Sequence, residues 1–373
     1  MNENAYVVVF PSVFSENKIP TLISNIKSIL KLKEQRYRKL FRDDSIIIID
    51  ANDPVFASAA INLLFGIRRV AITKQVKNEF NTIVSEIAKI GSNLLLKGER
   101  FLVKVDGYSS GFLTKDVELS STSLLVEKTF KLGAKPGTEQ RYDKLIYVYL
   151  TKANAYICIF IDEGKGGVPN FSQNKKIVCS IFDELSAVSC LETIKQGFDV
   201  KILVFYKQKS TLLHLVKILD NILQHGLRVG VDLDFFQLPK GSKGTLQIME
   251  AIVEISCKVA SNDKIRRISI SASPLIYPLE FIEGIFHRAQ KHGLIPYLPL
   301  SGLDNDIFET ARKVGLGKYL NRIEKLGKIR FGKPNSNSIK NVVETALKTR
   351  ERVSIKVGLN TVHDILDQIE QKH

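Results

Sequence analysis

Apolar positions follow two periods along this chain, and the switches between them predict its elements. The run YVVVF (6–10) is continuously apolar and bounded by polar residues, as in a buried strand. Ile19, Leu22, Ile23, Ile26, Ile29 and Leu30 then recur at helical spacing across 16–35. A second buried strand at 45–49 (SIIII) precedes a helix from Pro54 to Leu64, with proline tolerated in its first turn. Gly66 ends that helix and RRVAIT (68–73) is a third strand. This βαβαβ alternation predicts a small ferredoxin-like α+β domain over residues 1–74.

Helical spacing returns over 79–96, at Phe80, Ile83, Val84, Ile87, Ile90 and Leu94. RFLVKVDGY (100–108) alternates like a half-buried strand, and LIYVYL (145–150) and AYICIFI (155–161) read as two strands joined by a hairpin loop. EGKGGVP (163–169) holds three glycines and a proline, which predicts a loop and a domain boundary near residue 170. From Lys175 onward, strands at 176–179, 200–206, 228–236, 267–271 and 294–298 alternate with helices at 185–196, 211–225, 245–260 and 278–292. That rhythm predicts a doubly wound parallel sheet over 174–373, ending in a basic helical tail, with ligands expected at the carboxyl ends of its strands. The expected class is multidomain, α/β with α+β.

Charge narrows the partners. The 373 residues carry a net charge of +15. It is concentrated: Lys27, Lys31, Lys33, Arg36, Arg38, Lys39 and Arg42 face only Glu34, and 312–352 is similarly basic. Such clusters favour an acidic partner. No apolar run spans a bilayer and no long basic amphipathic helix carries bulky anchors, so nucleic acid is expected rather than membrane. The N-terminus lacks the features of a secretory signal, which makes the cytoplasm the expected location. Cys158, Cys179, Cys190 and Cys257 lack metal or redox spacing and read as small buried thiols. No metal site or general base is assigned.

Four stretches, in order, resemble the tRNA 4-thiouridine synthetases, also known as thiamine-biosynthesis sulfur-transfer proteins. They are LLFGIRRVAIT (63–73), GERFLVKVDGYSSGFLTKDVELSS (98–121), AYICIFIDEGKGGVP (155–169) and YLPLSGLDNDIFETARKVGL (297–316). The resemblance implies a ferredoxin-like domain, a THUMP RNA-binding domain (75–170) and a PP-loop adenylation domain. It also implies tRNA as partner.

The departures fall on the chemistry. Where the family has SGGxDS, this chain has Ser180, Ile181, Phe182, Asp183, Glu184 and Leu185. The family's glycines let backbone amides wrap a pyrophosphate. Ile181 resists a positive φ, Phe182 takes up room, and Asp183 and Glu184 suit a helix N-terminus better than a triphosphate. The acid, glutamine and SQT of the second signature are absent from the run Ser271–Ile282, and Leu326 aligns with the sulfur-carrying cysteine. The expectation is a tRNA-binding accessory or RNA-presenting protein without cofactor, possible partners being a separate catalytic subunit and a second copy of itself.

RNA-binding candidates are Arg68, Arg69, Lys97, Arg100, Lys104, Lys115 and Lys165, then Arg322, Lys328 and Arg330 in the tail. Arginine's fork suits phosphate, and Lys165 lies among glycines whose amides could meet one. Two alternatives remain open. One is an active, ATP- and Mg-dependent tRNA sulfurtransferase with a divergent site, Cys179 being the thiol near it. The other is a protein-interaction scaffold.

Overall fold

The computed structural model describes residues 5–239, 244–326, 328–329, 331, 339–358 and 360–371. The chain divides into two compact units, residues 1–166 and 167–373.

The first unit runs β1 (Ala5–Pro11), α1 (Ile19–Leu32), β2 (Tyr37–Asp43), β3 (Ile46–Ala51), α2 (Pro54–Ile61), β4 (Ile67–Lys77), α3 (Phe80–Leu94), β5 (Arg100–Gly107), α4 (Thr114–Lys128), β6 (Lys135–Pro136), β7 (Lys144–Leu150) and β8 (Asn154–Gly166). Its eight strands form one sheet in the order β2-β3-β1-β4-β8-β7-β5-β6. The first four strands with α1 and α2 make βαββαβ, the ferredoxin-like order, rather than the expected βαβαβ. The unforeseen strand is β2, YRKLFRD. It is an edge strand that spends most of its positions on charge, so its sequence reads as a basic cluster. The residue 74 boundary falls inside β4, which pairs with β1 on one side and β8 on the other.

One sheet face packs on helices. Val103, Val105, Ile146, Val148 and Ile157 form a core with Ile83, Ile87, Val117 and Leu125 of α3 and α4. The opposite face has its own core of Val8, Phe10, Ile46, Ile48, Ala71, Tyr147, Tyr156 and Cys158, all on strands. These residues are nonetheless buried because the sheet curls over them. The Phe10 ring lies edge-on 5.8 Å from Tyr147 and 5.4 Å from Tyr149, although β4 and β8 intervene in the sheet. The β2–β3 turn closes the curl. Asp43 Oδ2 accepts from Tyr156 Oη (2.6 Å), Thr151 Oγ1 (3.0 Å) and Asn154 Nδ2 (3.0 Å), and Asp44 accepts the Lys152 amide (2.9 Å).

The expected loop at EGKGGVP is half strand, since β8 continues through Gly166. Gly164 is required there by close approach: a Cβ on it would lie 2.2 Å from the carbonyl oxygen of Ile67.

The second unit runs β9 (Lys176–Ile181), α5 (Glu184–Lys195), β10 (Asp199–Tyr206), α6 (Lys209–Leu223), β11 (Gly230–Gln237), α7 (Thr245–Asn262), β12 (Arg267–Ser269), α8 (Leu279–Lys291), β13 (Ile295–Tyr297), α9 (Asn305–Lys313), α10 (Leu320–Leu326), α11 (Lys340–Lys348), β14 (Glu351–Lys356) and α12 (Thr361–Glu370). The sheet order is β13-β12-β9-β10-β11-β14. Five strands are parallel, as expected, and β14 is antiparallel to β11. The tail is therefore not purely helical: in ERVSIK, Val353 and Ile355 point inward between charged neighbours. Asp234, nearly inaccessible on β11, holds this edge by pairing with Arg350 (2.7 Å), Arg352 (3.0 Å) and Lys201 (3.1 Å).

Candidate functional site

The strand order reverses at β9, whose two neighbours β10 and β12 lead to opposite edges. Ligands of such sheets bind at the carboxyl ends of the strands flanking that point. Here those ends carry Ser180–Leu185 and the segment after β12.

The turn between β9 and α5 is closed on itself. Asp183 caps α5, its Oδ1 accepting the Ser186 amide at 2.8 Å. Ser186 Oγ returns the bond, accepting the amides of Phe182 and Asp183, both at 2.9 Å. Those are amides that would have to face an incoming phosphate, and a side chain three and four residues away already satisfies them. No residue from 180 to 185 has a positive φ. The alternating left-handed backbone of an anion-binding nest is therefore not formed.

Hydroxyls and aromatic rings lie near the turn. Ser180 Oγ lies 2.7 Å from Ser256 Oγ, and Ser271 Oγ donates to the Ser180 carbonyl at 3.3 Å. Tyr277, in the segment after β12, is buried and stacks at 4.9 Å on Phe331. Burial, with the Asp183 charge nearby, pushes its hydroxyl's pKa up. Burial likewise pushes the Asp183 carboxyl up to about 6, against the opposing bonds from Ser186.

Glu184 aligns with the acid of SGGxDS, but its carboxylate is engaged. Oε1 meets His214 Nε2 at 2.7 Å and Arg322 Nη1 at 2.6 Å, and the His214 ring lies edge-on to Tyr319 at 5.2 Å. Burial alone would raise this carboxyl; the bonds from His214, its own amide and Arg322 outweigh that and hold it below the usual range. Sequence spacing does not bring Glu184 and His214 together, because they stand 30 residues apart on separate helices. Cys179 and Cys190 are buried free thiols in a hydrogen bond, and that bond and burial raise the Cys190 thiol well above its ordinary value.

The basic candidates separate into engaged and exposed groups. In the first unit Arg69 pairs with Glu163 (2.8 Å) over the Tyr147 ring. Lys104 pairs with Glu139 (3.1 Å) and Lys115 with Glu118 (2.8 Å). Lys165 donates to the Asn62 carbonyl from within β8, not from a loop of free amides. Arg68 and Lys97 are exposed, and Arg100 is half-buried beside Asp143, which accepts its amide at 2.8 Å. In the second unit Arg322 is the Glu184 partner and Lys328 is exposed. Arg330 lies outside the described residues. Among the described residues no group of three or more potential metal ligands occurs, and no helix is long and apolar enough to cross a membrane.

No protein-family model matches the sequence. Over 178 residues, 47% of the chain, it is 26% identical to a probable tRNA sulfurtransferase of Methanosarcina acetivorans. It is 24% identical over the same length to a probable tRNA sulfurtransferase of Methanosarcina mazei. The matches span 43% and 44% of those relatives, less than half their length. The structure is similar to that of PH1313 from Pyrococcus horikoshii, with a TM-score of 0.61 and 18% identity over 84% of this chain and 100% of that one. It is also similar to a 4-thiouridine synthetase solved as an RNA complex with bound ATP, with a TM-score of 0.65 and 15% identity over 95% of this chain and 100% of that one. The chain thus has the multidomain α/β fold of a 4-thiouridine synthetase and a partial sequence similarity to proteins named tRNA sulfurtransferases.

Proposed function

We propose that this protein binds tRNA and serves tRNA modification without adenylating it. It would present or hold the RNA for a separate catalytic subunit. The observation that carries the reading is the closed turn: Ser186 Oγ takes the amides of Phe182 and Asp183 at 2.9 Å. A pyrophosphate would have to displace an intact capping box and approach two acidic residues. Relatives named for tRNA sulfur transfer and a neighbour solved with RNA support tRNA as the partner. Of the sequence candidates, the exposed Arg68, Lys97 and Lys328 and the half-buried Arg100 are the proposed phosphate contacts.

A second reading keeps sulfur transfer with a divergent site, and the ATP in the neighbour's complex favours it. The burial of Cys179 beside Cys190 weighs against it, because a reactive thiol must be accessible.

Two titrations test the proposal: tRNA across a salt series, and Mg-ATP by calorimetry. Salt-dependent tRNA binding without ATP heat is the expected result. Stoichiometric ATP binding would overturn the non-adenylating reading, and salt-insensitive or absent tRNA binding would overturn the RNA reading.

A further inference from the structure

Strand β8 leaves one neighbour part-way along its length. Its ladder with β7 covers only Val148↔Ile157, Tyr149↔Tyr156 and Leu150↔Ala155. Its ladder with β4 continues to Ile67↔Gly166. Among the described residues, then, β8 beyond Ile157 is strand-paired on one side only. The register gives the reason. Ile72 faces Phe160 while the next residue, Thr73, faces Cys158, so Ile159 is an extra residue. Such a bulge bends its strand and increases the local twist. The open stretch is also apolar, with Ile159 42% and Phe160 53% exposed. A strand edge of this kind is a template for another strand unless something covers it.

Beside that edge is a cavity of about 440 Å³ between Val55 and Ala59 of α2, Val70 and Ile72 of β4, and Phe160 and Asp162 of β8. Its volume is that of a typical ligand pocket. Helix α2, PVFASAAI, has no charged residue, and Val55 and Phe56 lie exposed on it. Asp162 is the one charged residue of the lining, which contains no lysine or arginine. In a chain of net charge +15, this is an apolar spot with an acidic mark. It repels a phosphate backbone and favours a cationic visitor. Phe160 and Asp162 project to the same side of β8, as alternate strand residues do. A strand laid along the edge would therefore present every second side chain to the cavity and the carboxylate.

We propose that the edge of β8 over Cys158–Glu163 is a β-augmentation site. Its occupant is an extended segment of a partner protein in which an apolar residue and a lysine or arginine stand two positions apart, on one face of the strand. Backbone pairing with β8 supplies affinity, an apolar side chain fills the cavity against Phe160, and a cationic side chain meets the Asp162 carboxylate, whose Oδ2 also accepts from Asn62 Nδ2 at 2.6 Å.

The test uses the full chain and a short fluorescent peptide of Val-Thr-Lys-Thr repeats, which puts valine and lysine on one face of the strand. Controls are the same peptide N-methylated at alternate amides and a short RNA oligonucleotide. The expected result is saturable peptide binding that raises hydrogen-exchange protection at Ile159–Glu163. N-methylation, Phe160→Lys or Asp162→Lys should each weaken it by about tenfold or more. Phe130→Ala, at an exposed phenylalanine elsewhere in the unit, should leave it unchanged. Phe160→Ala, at an exposed position, guards against misfolding and should weaken binding in the same direction. Equal binding of the N-methylated peptide, indifference to both β8 substitutions, or displacement of exchange protection to another segment would overturn the proposal. So would RNA protecting β8 in place of the peptide, or self-association that Phe160→Lys abolishes without any peptide binding.

Discussion

Tyr156 donates its hydroxyl to Asp43 across 2.6 Å, joining residues 113 apart in sequence. The bond ties the β2–β3 turn to the β7–β8 hairpin and holds the curl that buries the helix-free face. Asp43 Oδ2 accepts two further bonds there, from Thr151 and Asn154. Asp43→Ala should therefore strand three donors and destabilise the first unit by about 2–4 kcal/mol, whereas Tyr156→Phe should cost about 1 kcal/mol. Urea unfolding of both variants checks the difference; equal losses would mean the aspartate acts through the tyrosine alone.

Glu192 on α5 is buried, and its Oε1 has no hydrogen-bond partner. Lys195 Nζ, 3.8 Å away, is bonded instead to Asp306 and Thr310, each at 2.8 Å. Burial pushes the Glu192 carboxyl up to about 7, although Lys195 opposes the shift. The native state thus keeps a proton that the unfolded chain releases near pH 4, so stability falls as pH rises between about 4 and 7. Glu192→Gln should remove that loss, adding about 2–3 kcal/mol at pH 8.5 and little at pH 4. Denaturation of both proteins at the two pH values measures it.

Arg322 reaches Glu184 from α10 but is itself 63% exposed in its side chain. Solvent screens such a pair, and Arg322→Ala should cost about 0.5–1 kcal/mol at neutral pH. Glu184 has a lowered carboxyl pKa, so the stability it contributes is present above about pH 4 and lost as pH falls through its folded value. The Arg322→Ala penalty should vanish in acid. A penalty that persists there would assign Arg322 a packing role.

Gly164→Ala should destabilise the first unit by about 2–4 kcal/mol, since the new Cβ would fall 2.2 Å from the Ile67 carbonyl oxygen. Gly111→Ala, where nothing lies within 4 Å, is the control. Thermal unfolding of the pair distinguishes steric demand from general glycine chemistry.

The parallel sheet was legible because β9 and the second half of β10 are buried on both faces and read as apolar runs. β2 was not, because an edge strand needs few apolar residues and its YRKLFRD resembles a charged loop. β14 left a weak trace, two inward residues in ERVSIK. At the candidate site, the missing glycines and the capping acid Asp183 could be read from the sequence. The Ser186 contribution could not, since a serine at the third helical position has no unique meaning until the turn's geometry is known. Nor could the Glu184–His214–Arg322 cluster, whose members come from three helices brought together only by packing. Lysines were the least legible: Lys104, Lys115 and Lys165 each have a protein partner that composition does not reveal.

Strand β4 has both of its edges spoken for, by β1 along one and by β8 along the other. The ferredoxin-like strands and those that follow are thus not beads on a string. A cut near residue 74 would split a strand, tear two ladders and open a raw edge on each fragment. The first 166 residues, one compact unit, are therefore expected to fold and unfold as a whole.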